Sequence, residues 1–200
     1  MWNWLQNLSG GAATFVGSAT GSGIGLIAIL IGALFNAHLN RRRDDRIRKE
    51  DTRALATALR AELAGLLRTL EENVDLLKKE PPEEGGGFLA PDLGQSVRVM
   101  PEMLGKFGLL DVHTIRNVID SYLIVEQFGA KLLLLGGTMV GNMPEGRRFI
   151  SLPGTKTKHV VAMSEGMIGQ IRQSIDKLDL HLKSVGRNKR SALRRTRAAP

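Results

Sequence analysis

The chain has no cysteine. Disulfides, thiolate metal sites and a cysteine nucleophile are therefore excluded, although the compartment is not fixed by that absence. Lysine and arginine are missing from the first 40 positions, and His38 is the lone titratable side chain from Gly10 to Leu39. Catalytic signatures are also scarce. None of the four histidines (His38, His113, His159, His181) sits in H-E-x-x-H or E-x-x-H, and no G-x-S-x-G appears. No repeat recurs at solenoid periods, which leaves an ordinary domain as the expectation for the rest of the chain.

What fills the uncharged stretch is apolar. Gly10 to Leu39 reads GGAATFVGSATGSGIGLIAILIGALFNAHL. A bilayer core of about 30 Å needs about 20 apolar residues in helical form, and Ala12 to Ala37 supplies 26 positions. Thr14, Ser18, Thr20 and Ser22 can return their hydroxyls to the preceding helical turn and are tolerable in lipid. Trp2 and Trp4 lie where amphipathic rings suit the headgroup layer. Six basic residues then crowd positions 41–49: Arg41, Arg42, Arg43, Arg46, Arg48 and Lys49. This asymmetry predicts a single span with a short external N-terminus and a cytoplasmic C-terminal part. A cleaved signal peptide is not expected, because a positive n-region is missing and Phe35 stands three places before a cut at Ala37.

Ala13, Gly17, Gly21 and Gly25 recur every fourth residue and share one helix face. Small residues at that spacing let two membrane helices approach closely, so self-association is expected there. Two nearby patterns carry less. Thr20 to Gly25 has G-x-G-x-G where a dinucleotide fingerprint needs G-x-G-x-x-G after a strand. Asn7-Leu8-Ser9 is a bare glycosylation triplet.

Beyond the collar, Leu55, Leu59, Leu63, Leu66, Leu70, Val74 and Leu77 form one apolar stripe, which predicts a long helix over 40–80 stopped by Pro81-Pro82. Residues 81–98 read as a flexible Gly/Pro-rich linker. A short helix is expected over 96–106 with Gly108 as its breaker, and a longer one over 112–135 with Asp111 as N-cap. Residues 136–153 are turn-rich. Ile168, Ile171, Ile175, Leu178, Leu182 and Val185 then alternate three and four apart, the pattern of a packing seam, up to Gly186. The expected architecture is all-α. An external segment (1–9) leads into the membrane helix (10–39) and a stalk helix (40–80). After the linker, a bundle portion (99–185) completes an antiparallel bundle or coiled coil, and a basic disordered tail (186–200) follows.

Candidate chemistry is sparse. Asp176, Asp179 and His181 are close in sequence, but one helix does not aim all three at one metal. Asp111 and His113 are more economically a cap and an exposed ring. The adjacent pairs Glu71-Glu72 and Glu83-Glu84 do not face each other on a helix. Pro153-Gly154-Thr155-Lys156-Thr157 lacks the glycine directly before lysine that a phosphate loop needs. No catalytic, cofactor-binding or metal-binding residue is assigned, and an enzyme is not expected. The chain holds 28 basic and 20 acidic residues, net +8, and positions 183–200 contribute seven basic residues and no acid. Lys189, Arg190, Arg194, Arg195 and Arg197 are the candidates for holding a polyanion, either anionic lipid or nucleic acid. The tail has no aromatic side chain to stack on bases.

The segment Asn36-Ala37-His38-Leu39-Asn40-Arg41-Arg42-Arg43-Asp44-Asp45, Ala-Leu-Arg-Ala-Glu-Leu at 58–63, and Leu104 to Tyr122 with Gly-Leu-Leu at 108–110 are similar to small bacterial single-pass, membrane-anchored helical proteins of unassigned function. The resemblance covers most of residues 12–125. It implies a bacterial inner membrane and a helical cytoplasmic part, and it implies no activity. The function expected is that of an oligomeric scaffold or accessory subunit of a membrane complex. A polyanion binder acting through the tail and a holin-like pore assembly are the alternatives.

Overall fold

The computed structural model describes residues 10–83, 85–140 and 148–197, with side chains for all of these except 10–13, 16 and 186–197. The chain divides into two compact units, Met1–Arg48 and Lys49–Pro200. Helix α1 (Gly10–Lys79) supplies every described residue of the first unit and the opening element of the second. In the first unit each described side chain is exposed. Among the described residues α1 is the one helix long and apolar enough to cross a membrane. Its 18-residue window has a mean hydropathy of 1.9, and none of that window is buried. The expected external segment, with Trp2 and Trp4, lies outside the described residues.

The second unit is mostly helical, but it is not all-α. After α1 come β1 (Gly87–Pro91), a 3-10 turn at Leu93–Ser96, α2 (Val99–Met103) and a second 3-10 turn at Leu104–Leu109. Then follow α3 (Val112–Leu134), β2 (Thr138–Val140), β3 (Phe149–Pro153), a third 3-10 turn at Gly154–Lys156, and α4 (Thr157–Arg197). The strands form an antiparallel sheet in the order β1-β3-β2. Part of the expected flexible linker is thus a strand, as are two pieces of the turn-rich 136–153. The physical reason is pairing plus burial. Phe88 pairs with Leu152 and Ala90 with Ile150, and Ala90, Ile150 and Leu152 are buried in the core. Gly87 sits so close to β3 that an added Cβ would meet the Leu152 carbonyl oxygen at 3.1 Å.

Side-chain pairs fix the directions of the helices within this unit. Arg60, Glu71 and Lys78 of α1 meet Asp179, Arg172 and Glu165 of α4 in turn, so the two helices are antiparallel. Asn117 and Ser121 of α3 bond to Ser174 and Gln170 of α4, and α3 is antiparallel to α4 as well. Helices α1 and α3 therefore run the same way. The chain returns between them through β1 and α2, and α4 descends toward the Lys49 end of α1. The ion pairs are exposed or only half-buried, and such pairs contribute little to stability. Apolar burial supplies most of the cohesion. Leu55, Leu59, Leu63 and Leu70 of α1, Val118, Tyr122 and Leu132 of α3, and Ile171 and Leu178 of α4 are fully buried in one core.

Both ends of α3 are locally encoded. Asp111 is its N-cap and accepts from the Thr114 backbone N–H at 3.0 Å. At the other end Gly136 takes φ 93°. The Gly136 and Gly137 N–H groups bond to the Leu133 and Leu132 carbonyls, a Schellman ending. Helix α4 does not stop at Gly186, and backbone expected to be disordered is helical to Arg197. One interior glycine costs only about 1 kcal/mol relative to alanine, and the arginine, lysine, alanine and leucine around it favour helix.

The packed seam makes a direct prediction. Ile171→Ala should destabilise the protein by about 2–5 kcal/mol. Leu180→Ala, at a residue 60% exposed, should change stability by no more than about 0.5 kcal/mol. Thermal unfolding of the full chain in detergent reads both, and equal shifts would contradict this packing.

Candidate functional site

In the first unit the features of interest lie along one helix. A Cβ added at Gly17, Gly21 or Gly25 would meet nothing within 4 Å, so this face is open in the single chain. The Ala13 side chain lies outside the described residues. Further along, Arg41, Arg42, Arg43, Arg46 and Arg48 are all exposed. Lys49, the sixth collar residue, opens the second unit and is exposed too.

In the second unit the polar groups converge on Glu62. Its Oε1 accepts from the backbone N–H groups of Arg98 at 2.6 Å and Val99 at 2.7 Å. Its Oε2 accepts from the Met100 N–H at 3.2 Å and the Tyr122 hydroxyl at 2.6 Å. The first N–H groups of a helix have no partner of their own, and α2 has no local side-chain cap. A glutamate from α1 serves instead. Burial, the hydrogen bond to Glu62 and its negative charge together push the Tyr122 phenol far above its ordinary range, so it stays a neutral donor.

A second cluster joins α3 to α4. Asp111 Oδ2 accepts from the Thr114 hydroxyl at 2.6 Å and lies 3.1 Å from His181 Nδ1. His181 Nε2 is buried without a partner among the described residues. Burial raises the Asp111 pKa. The bonds from the Thr114 hydroxyl and N–H, the bond from His181 and its charge outweigh that, and the value falls from 3.8 to about 2. Between these helices Ser121 and Ser174 share a buried hydrogen bond of 2.8 Å.

An apolar groove of about 330 Å³ lies where Leu70, Val74 and Leu77 of α1 face β1, with Phe128 and Val160 beside them. The β1 edge belongs to it. Gly86 and Asp92, the residues flanking the strand, bond to Gly154 and Arg148, so Phe88 and Ala90 turn their backbone groups toward β3. Gly87, Leu89 and Pro91 turn theirs outward, following the alternation of an antiparallel ladder.

The residues singled out in the sequence fall into separate roles. Leu59, Leu63, Leu66 and Leu70 are buried, with Ile168, Ile171 and Leu178. Ile175 and Leu182 are partly buried against the same core. Asp179 is ion-paired with Arg60 while His181 meets Asp111, so the triplet Asp176, Asp179, His181 is not brought together. Among the described residues no group of three or more His, Cys, Asp or Glu could hold a metal ion. The side chains of Lys189, Arg190, Arg194, Arg195 and Arg197 lie outside the described residues. The hub role of Glu62 is not legible in the sequence. The residue lies within the Ala-Leu-Arg-Ala-Glu-Leu segment, but its partners are 36 to 60 positions away, and nothing local marks it.

Asp111 sets an acid dependence. A carboxyl whose folded pKa is lowered contributes stability above its unfolded value and loses it as pH falls through the folded one. The contribution should be complete above pH 3.8 and lost toward about 2. Thermal scans from pH 5 to pH 2 should show Asp111→Asn weakening the protein at the upper end and matching the parent at the lower. A difference independent of pH would overturn the assignment.

In comparison with known proteins, no family model, no curated protein and no solved structure matches the chain, so the resemblance drawn over residues 12–125 stands on those motifs alone.

Proposed function

We propose that this is a single-pass protein of a bacterial inner membrane, acting through helix contacts as an oligomeric scaffold or accessory subunit and carrying out no catalytic chemistry. The N-terminus is outside and residues 41–200 are cytoplasmic. The observation that carries the reading is the apolar window of α1, none of which is buried by the rest of the chain. Phe15, Ile24, Leu34 and Phe35 are each more than half exposed, and lipid is the environment in which such a surface is stable. The second unit meanwhile uses its polar groups internally. Glu62, Asp111, Ser121 and Ser174 are each engaged in bonds between or at the ends of helices. The open glycine face supports association between copies, because small residues allow close backbone approach.

Two measurements test this. A reporter active only in the cytoplasm, fused after Pro200, should be active, and activity of a periplasm-dependent reporter there would overturn the orientation. In mild detergent the parent should be an oligomer and Gly21→Ile should shift it toward monomer. The free space at Gly21 means that the substitution leaves the single chain undisturbed. A monomeric parent would remove the oligomer.

A further inference from the structure

We propose that Arg42, Arg43 and Arg46 of α1 form a binding face for the phosphate of an anionic phospholipid. The inference rests on the membrane reading above. Positions 42 and 46 are four apart and 43 and 46 three apart, so the three guanidiniums share one helix face. All three are exposed. Like charges at these spacings destabilise a helix, and an anion seated among them reverses that cost. Arg43 has no acidic residue three or four places away on either side. Asp45 and Glu50 stand at helical spacing from Arg42 and Arg46, yet none of the three arginines forms an ion pair among the described residues. Elsewhere in the chain Arg60, Lys78 and Arg172 do find carboxylates. Arginine suits the ligand, because its planar fork matches phosphate oxygens in a bidentate manner.

The adjoining turns say what kind of phosphate. Leu39 lies three before Arg42 and four before Arg43, and Phe35 lies four before Leu39. Both side chains are exposed, by 45% and 64%. The face thus runs from apolar to cationic along the helix axis, which is the polarity of an acyl chain joined to a charged headgroup. A free phosphate ion would use the arginines and leave Phe35 and Leu39 in water. Arg41, Arg48 and Lys49 hold the orientation without these three.

The test uses the full chain reconstituted in phosphatidylcholine vesicles. Spin-labelled phosphatidylglycerol and spin-labelled phosphatidylcholine are compared for association with the protein. The anionic lipid should be preferred on the order of fivefold or more, since each basic residue at an anionic surface is worth about that factor. The triple variant Arg42→Gln, Arg43→Gln, Arg46→Gln should bring the ratio close to one, and the matching lysine variant should keep part of it. Excess inorganic phosphate should leave the preference in place, and so should deletion of residues 187–200. Equal preference in parent and glutamine variant overturns the proposal, as does loss on tail deletion or full displacement by inorganic phosphate. An alkaline wash separates the two levels. Protein stripped from the vesicles defeats the membrane reading itself, whereas protein retained without headgroup preference defeats this inference alone.

Discussion

The second unit is held in register by one carboxylate. Glu62 leaves α1 and takes four donors, three from the start of α2 and one from Tyr122 of α3. An ionised carboxylate has about four lone-pair directions, so the group is saturated. Sliding α1 by one helical turn would strand a partly buried charge, a buried phenol and three N–H groups together. Hydrophobic packing tolerates more than one arrangement of leucines. The glutamate selects one, and with it the path by which the chain returns from the sheet to the start of α3.

The helical part of this architecture was legible because its signals are redundant. The α1 stripe, the Asp111 cap, the paired glycines after Leu135 and the isoleucine-leucine alternation before Gly186 each combine period with punctuation. The sheet was hidden for the opposite reason. Strands of three to five residues are too short to display a period of two, and they are embedded in glycine and proline that by themselves signal turns. The identity of β1 is decided by a partner strand some 60 residues away in sequence, and β2 pairs with that same strand. The end of α4 is not marked by Gly186, because a single glycine weighs less than the helix formers on either side of it.

The candidate sites divide in the same way. The apolar run, the glycine face and the arginine collar are properties of consecutive residues, and sequence spacing places them on a helix directly. Glu62 and the Asp111–His181 contact are properties of the packed unit. The cap role of Asp111 is written locally, whereas its histidine comes from α4, 70 positions later.

The outward edge of β1 has a consequence for how the sheet can grow. Of its three outward residues only Gly87 and Leu89 carry an N–H, because Pro91 has none. A foreign strand laid along this edge would find two donors and then a proline that can accept but not donate. This edge, though not the opposite one at β2, is thereby a poor template for a foreign strand without the help of a covering helix.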